Sequence, residues 1–436
     1  MIGQANVGMG TTRVLGIAAC VMLAGSAIAE NLRDGMAAFH RKDYAQAAKI
    51  LKLHAAKNHP SAQHVLGIMS EHGWGVPKDY AVARSLYLKS VAQGYPNALY
   101  NLGILFQAGR GVPQNLQTAF KYYHRAATAG LVAGQTAVTF MYIQGKGVRE
   151  NFPAAFRWTK EAADQGSAKA QGFLGMMYAQ GLGTKVDLPQ AFAHVSAAAA
   201  LGSKIGNQGI KEYLLKMPVE KRVEANKRAQ FEVAFVQALA ARERKDYATA
   251  VKVLHTLAAA GDPRAQHNLG NFYRQGLGVS KSFGTAFQWF KKAADRGYVR
   301  SRYNLSKMYR LGLGVKKDMD AARTWLHKAA EAGSRSAQSD LGTMYAVQKN
   351  FGEALKWTTR AANRGSALGQ HNLALAYFRG HGVPVNKAIA YKWMKLASLA
   401  GLRIAHPKLA AISKQISPAQ KSQGEKLAEA WIPGHD

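Results

Sequence analysis

Ala265-Gln266-His267-Asn268-Leu269-Gly270, then Gly276-Leu277-Gly278-Val279, then Ala286-Phe287-Gln288-Trp289-Phe290-Lys291-Lys292-Ala293-Ala294 and Gly297 make up one module of this 436-residue chain. Its Leu-Gly pair recurs at Leu66-Gly67, Leu102-Gly103 and Leu174-Gly175, in 36-residue steps, with Val138-Thr139 filling the gap. A Gly-x-Gly follows each: Gly73 and Gly75, Gly109 and Gly111, Gly145 and Gly147, Gly181 and Gly183. Each module closes on a small pair and a glycine, as in Ala126-Ala127 with Gly130 or Ala162-Ala163 with Gly166. A period of this length is the signature of a repeat array, and it decides the fold before any local propensity does.

The spacing predicts two helices per module. Ala62, Leu66 and Met69 lie at steps of four and three, one apolar stripe. Gly67 and its equivalents have no side chain, so a neighbouring helix can come close. The second helix starts near Asp79 or Asn115, both good caps. It carries alanine at 83, 119, 155, 191, 286, 322, 354 and 390. Three residues on come Leu86, Tyr122, Trp158, His194, Trp289, Trp325, Trp357 and Trp393. These tryptophans share one equivalent core position, so packing between modules explains them better than a sugar-stacking ladder. One helix pair cannot bury its apolar face alone; stacked neighbours can.

These residues closely resemble Sel-one-like repeats, a subclass of tetratricopeptide-type repeats, over 60–203 and 263–402. The resemblance implies an all-α, α/α superhelical solenoid, and a family of adaptors rather than one activity. Half-repeats at 34–59 and 237–262 look like plain tetratricopeptide helices. Arg41-Lys42-Asp43-Tyr44 returns as Arg244-Lys245-Asp246-Tyr247, a shift of 203, so the array reads as duplicated. The module starting at Arg335 lacks the Gly-x-Gly turn and is four residues shorter. The organisation expected is a signal peptide at 1–29, a first array at 30–203, a helical connector at 204–236, a second array at 237–402 and a capping helix with tail at 403–436. Pro218 and Pro418 mark helix starts in the connector and the cap.

The chain carries 58 Lys and Arg against 25 acids, a formal net charge of +33. Such an excess favours anionic partners and bears on association, not on fold. Arg13, the apolar run Val14–Ala29 and the closing Ala27-Ile28-Ala29 read as a secretory signal, which implies a periplasmic or secreted protein with no integral membrane segment after its removal. Ile17-Ala18-Ala19-Cys20 also resembles a lipoprotein box that would lipidate Cys20. Cleavage after Ala29 removes the single cysteine, and with it any disulfide, thiol nucleophile or Cys-ligated metal.

No catalytic, metal or cofactor residue is expected. Gly276-Leu277-Gly278-Val279-Ser280-Lys281 lacks the Walker spacing and lies between helices. His40, His54, His59, His64 and His72 do not place two histidines at i, i+4. Some relatives are linked to β-lactam binding, but no serine here has a lysine three residues on.

By resemblance, the first helix of each repeat lines a groove, at the second, fifth, ninth and twelfth positions. In the second array those positions hold Arg264, His267, Asn271 and Arg274, then Arg300, Tyr303, Lys307 and Arg310: five strong cations and no acid. Arginine forks suit carboxylates and phosphates, so this stripe is the candidate site for an acidic peptide or an anionic glycan. In the first array the stripe is mostly apolar, with Ile68, Tyr100, Ile104, Phe140 and Met176, and suits an amphipathic helix. The leading function is a non-enzymatic exported adaptor that binds protein partners in the cell envelope. Alternatives are an envelope protein associated with peptidoglycan or exopolysaccharide, and a secreted host-interaction factor. Nucleic-acid binding fits the charge but not the export signal.

Overall fold

The computed structural model describes residues 32–434, so the signal-peptide and Cys20 readings lie outside the described residues. Those residues are mostly helical, with no strand among them. They fall into two compact units, which divide between Gln114 and Asn115.

The first unit contains α1 (32–40), α2 (Tyr44–Ala56), α3 (Pro60–His72), α4 (Tyr80–Val91) and α5 (Pro96–Ala108). The second begins with α6 (Leu116–Thr128), α7 (Val132–Gln144), α8 (Phe152–Ala163), α9 (Ala168–Gln180) and α10 (Leu188–Ala200). The connector follows as α11 (Lys204–Lys216) and the long α12 (Val219–Glu243), then α13 (Tyr247–Ala259). The later repeats are α14 (Pro263–Gln275) with α15 (Phe283–Asp295), α16 (Val299–Leu311) with α17 (Met319–Glu331), α18 (Arg335–Val347) with α19 (Phe351–Asn363), and α20 (Ala367–Arg379) with α21 (Lys387–Leu399). α22 (Ala405–Ser413) and α23 (Pro418–Ala430) close the unit.

Asp79 accepts from the Ala81 and Val82 amides, and Asn115 from Thr118, so the second helices start where the caps predict. Ser417 and Gln420 form a reciprocal capping box around Pro418. The stripe Ala62, Leu66, Met69 is buried, and so are the second-helix alanines. A Cβ on Gly270 would lie 2.6 Å from the Phe290 ring, so in this repeat the Leu-Gly position has no room for a side chain.

The second glycine of each turn sets the stacking. At Gly147, with φ +74°, a Cβ would sit 2.3 Å from the Leu116 carbonyl oxygen, on the first residue of the preceding second helix. The same contact recurs 31 residues back along the chain for Gly75 on Tyr44, Gly183 on Phe152, Gly278 on Tyr247, Gly314 on Phe283 and Gly382 on Phe351. Backbone therefore packs on backbone between consecutive helix pairs.

The repeat without Gly-x-Gly follows a different rule. Lys349 takes φ +58°, and Asn350 caps α19. Lys42 and Lys245 do the same at φ +65°, ahead of the capping Asp43 and Asp246. All three sites are one short turn, Lys-Asp/Asn-aromatic. The shortened seventh repeat thus uses the plain turn of the half-repeats.

A buried glutamine is a second recurring device. Gln63, Gln171, Gln266 and Gln338 donate from Nε2 to the carbonyls of Ala55, Ala163, Ala258 and Ala330, 3.0–3.2 Å away. Each of these carbonyls also accepts the backbone amide three residues on, so the glutamine adds a second bond that ties the start of one helix to the end of the preceding one. Arg302 takes the role through Nε to Ala294, at 3.3 Å.

Within the second unit the winding brings distant repeats together. Leu239 of α12 packs on Gly166, Gly365 meets His124 and Thr128, and the Gly434 amide donates to Asn363 at 2.9 Å. Lys121 of α6 reaches the Glu429 carbonyl, and the Tyr142 hydroxyl donates to Pro433. Burial pushes His194 down to about 4 and, helped by Arg335 and Arg157, His124 down to about 3.

Two predictions follow from these contacts. Gly130 has φ +90° and open space around its Cβ position. Gly130→Ala should cost about 1–2 kcal/mol, the left-handed strain alone. Gly147→Ala adds overpacking against Leu116 and should cost about 1–3 kcal/mol more in urea denaturation. Equal losses would remove the stacking role assigned to the glycine. The buried histidines are deprotonated in the fold but bind protons below pH 6.5 when unfolded. Unfolded chains then hold more protons, so stability falls as pH drops from 6.5 toward 4, by up to about 1.4 kcal/mol per pH unit for each such group. His124→Gln should flatten this dependence, read as denaturation midpoints at pH 7, 5.5 and 4.5.

Candidate functional site

The eight residues of the basic stripe all lie in the second unit, on α14 and α16. Successive first helices touch along this face. His267 Nδ1 lies 2.8 Å from Ser301 Oγ, and the Tyr303 hydroxyl donates to Asp340 at 3.0 Å. Further along, Asn372 donates to Thr343 at 2.8 Å. These bonds tie neighbouring first helices together beside the stripe.

Their environments differ. Arg264 is spent on structure. It donates to Glu232 on α12 and to Asp262, its own helix cap, and lies 3.8 Å from Asp164 at the end of α8. Its guanidinium also covers the Phe235 ring, 4.3 Å from the centroid. Its side chain is 14% exposed, so three carboxylates hold this charge inside the unit. Burial alone would raise the Glu232 carboxyl; facing Arg264, it is held below the usual carboxylate range. Removing either partner would leave an uncompensated buried charge.

His267 is buried as well. Burial, reinforced by Arg300 and Arg274, pushes it down to about 3, so it is a neutral ring that supports Ser301 and Asn271. Asn271 in turn accepts from Arg274 at 3.1 Å. Tyr303 is half-buried. Burial and its bond to Asp340 push its hydroxyl up to about 12, and the Lys307 ammonium sits 5.4 Å from its ring centroid.

That leaves Arg274, Arg300 and Arg310 exposed and Lys307 half-buried, with no ion pair to any of them among the described residues. The face is not free of acid, because Asp340 enters from the next repeat. A stripe read along one helix could not show this: Asp340 lies 37 residues beyond Tyr303 and on a different register position.

The apolar stripe divides between the two units. Ile68, Tyr100 and Ile104 belong to the first and are half-buried. Beside them, Glu71 is buried and accepts from the Tyr87 hydroxyl at 2.9 Å and from Arg110 at 3.1 Å. Phe140 and Met176 belong to the second unit. Phe140 stands edge-on to Phe173, with the Lys169 ammonium 4.7 Å from its centroid. Three of the tryptophans at the shared core position, Trp158, Trp357 and Trp393, are buried, and Trp289 and Trp325 are half-buried.

No group of three or more His, Cys, Asp or Glu among the described residues is arranged to hold a metal ion. No helix among them is long and apolar enough to cross a membrane.

Comparison with known proteins agrees with this architecture. The Sel1 repeat model matches at 60–95, 96–131, 134–167, 168–203, 263–298, 299–334, 336–366 and 367–402. The alginate biosynthesis protein AlgK of Azotobacter vinelandii is 34% identical over 70 residues, which is 16% of this chain. That match spans 15% of the length of the relative. Among solved structures, c5321, a protective antigen of uropathogenic Escherichia coli strains displaying an SLR fold, is 26% identical, with 98% of this chain and 95% of that one covered and a TM-score of 0.40. A Sel1 repeat protein from Oxalobacter formigenes is also 26% identical, covering 69% of this chain and 96% of its own, with a TM-score of 0.35. Sel1 repeat proteins are generally protein-interaction scaffolds, and their fold is typically non-catalytic. With eight matched repeats, each a helix pair, this chain belongs to the Sel1 repeat family.

Proposed function

We propose that the protein is a non-enzymatic adaptor, exported to the cell envelope, that holds a partner protein against the first helices of repeats five and six. One observation carries the reading. Arg274, Arg300, Lys307 and Arg310 share a face, and no carboxylate of the described residues pairs with them. Arg264, by contrast, is neutralised by three acids and positions α14 rather than gripping a partner. Guanidinium forks at this spacing fit an acidic segment, and the Tyr303 ring offers an apolar edge beside them. The apolar positions Ile68, Tyr100 and Ile104 offer a second surface, suited to an amphipathic helix.

The short similarity to an alginate biosynthesis protein favours one other reading, a role beside an anionic envelope polysaccharide. Both readings use the same cations, so one pair of variants serves both. Arg274→Glu combined with Arg310→Glu should abolish capture of the partner in crosslinked native envelopes, with about a hundredfold loss of affinity for the partner once identified. An unchanged partner set would sink the adaptor reading of this face. Salt-sensitive binding of the parent chain to purified acidic polysaccharide, lost in the double variant, would favour the second reading.

A further inference from the structure

The joint between α11 and α12, in the second unit, carries apolar side chains that nothing covers. Leu215 lies in the last turn of α11 and is 83% exposed; Val219 and Val223 open α12 and are 70% and 80% exposed. Leu214 is exposed as well. Away from this joint, no ten-residue stretch of the described residues holds more than two exposed large apolar side chains. A single exposed Leu or Val is ordinary, but a cluster of them marks a contact surface. The two helices are themselves well anchored. Gly206, Gly209 and Tyr213 bury one side of α11, and Ala225, Ala229 and Glu232 one side of α12, each set at steps of three and four. Met217, at the joint, packs with Ala225, Ala229 and Phe192 in one core cluster. Val219 and Val223, four residues apart, share a side of α12 that this packing leaves in water.

The same joint is basic. Residues 211–228 hold six basic side chains against three acids. Two of the acids are spent: Glu212 pairs with Lys216 at 2.7 Å, and Glu224 pairs with Arg228, which also reaches Asp187 at 3.2 Å. Lys211, Lys221 and Lys227 are exposed, with no ion pair among the described residues, and so is Glu220. This composition separates the candidate occupants. Protein interfaces favour aromatic side chains and arginine at their centres and are poor in lysine. Here the apolar side chains are aliphatic, and lysines flank them in sequence. A second copy of the chain is disfavoured by the net charge of +33 that each copy carries. A lipid surface suits both features. Aliphatic side chains enter the boundary between headgroups and acyl chains, while lysine stems lie along it and their ammonium groups meet anionic headgroups.

We propose that the α11–α12 joint, with Leu215, Val219 and Val223 as its apolar contacts and Lys211, Lys221 and Lys227 as its charges, docks the protein on an anionic phospholipid surface. The contact is peripheral, since no helix among the described residues is long and apolar enough to cross a membrane. The joint belongs to α11 and α12 rather than to α14 and α16, so its failure would leave the partner-holding face untouched. Glu220 opposes the contact, which supplies a variant of opposite sign.

The test is sedimentation of the full chain with vesicles of phosphatidylcholine alone and of phosphatidylcholine mixed with phosphatidylglycerol. The chain should prefer the mixed vesicles at least about tenfold. Combined Leu215→Ser, Val219→Ser and Val223→Ser, which alters no charge, should weaken that binding at least about thirtyfold, whereas Glu220→Lys should strengthen it about fivefold. An environment-sensitive dye on Val219→Cys, in a Cys20→Ser chain, should brighten on the mixed vesicles, and the same dye on Lys307→Cys should not. Full binding by the triple variant overturns the proposal, because charge alone then suffices. Equal binding to neutral vesicles overturns it as well, as does brightening at Lys307 without brightening at Val219. A concentration-dependent dimer formed without lipid and abolished by the triple variant also overturns it, and assigns the patch to self-association. If the triple variant does not fold, Glu220→Lys and Lys221→Glu, with opposite effects expected, decide the matter.

Discussion

The contact on which the rest depends is backbone on backbone, at the second glycine of each turn. Gly147 against Leu116, Gly183 against Phe152 and Gly314 against Phe283 bring one helix pair onto the next with no side chain between them. Such an approach leaves little slack, so van der Waals contact between backbones constrains how successive pairs pack within each unit. The buried alanines, the Leu-Gly stripe and the glutamine-to-carbonyl bonds then fill the space this geometry defines. The seventh repeat lacks that glycine and turns instead with Lys349 in the left-handed region and Asn350 as cap, in four fewer residues.

Winding has an electrostatic consequence in the second unit. It brings second-helix ends of the early repeats against first-helix starts of the later ones, so charges far apart in sequence become neighbours. Two outcomes of that meeting are visible. Around Arg264, acids from α8, α12 and its own cap compensate the guanidinium, and the result is a structural tie. Arg335 instead lies 3.8 Å from one carboxylate, Glu161, with its guanidinium over the Trp158 ring. The two arginines differ in the number of acids within reach.

The partner-holding reading changes in the same way. Five cations on the candidate face become four, because Arg264 is internally neutralised, and Asp340 adds an acid through Tyr303. The surface that stays cationic is smaller and sharper. It is built on α14 and α16, which are joined by the His267–Ser301 bond. A rigid pair of helices spends little entropy in ordering its arginines for a partner.

Much of this was legible in the amino-acid sequence alone. Eight repeats, two helices in each, the caps at Asp79, Asn115 and Ser417, and the core role of the alanine and tryptophan columns all follow from periodicity, because local rules act within one module and recur with it. The short turn at Lys349 was legible too, through its likeness to Lys42-Asp43-Tyr44 and Lys245-Asp246-Tyr247, but only by comparing turns rather than modules. The column of glutamines at 63, 171, 266 and 338 was in plain view without its meaning, since its acceptor belongs to the preceding helix. What a linear reading could not reach is which cations are spent. Asp164 and Arg264 are 100 residues apart, and Trp158 and Arg335 further still. Their meeting depends on the accumulated angle of several stacked pairs, a sum of small rotations that no single repeat encodes. The solenoid was therefore determined by the sequence pattern, and which of its arginines are tied into internal ion pairs only by the tertiary structure.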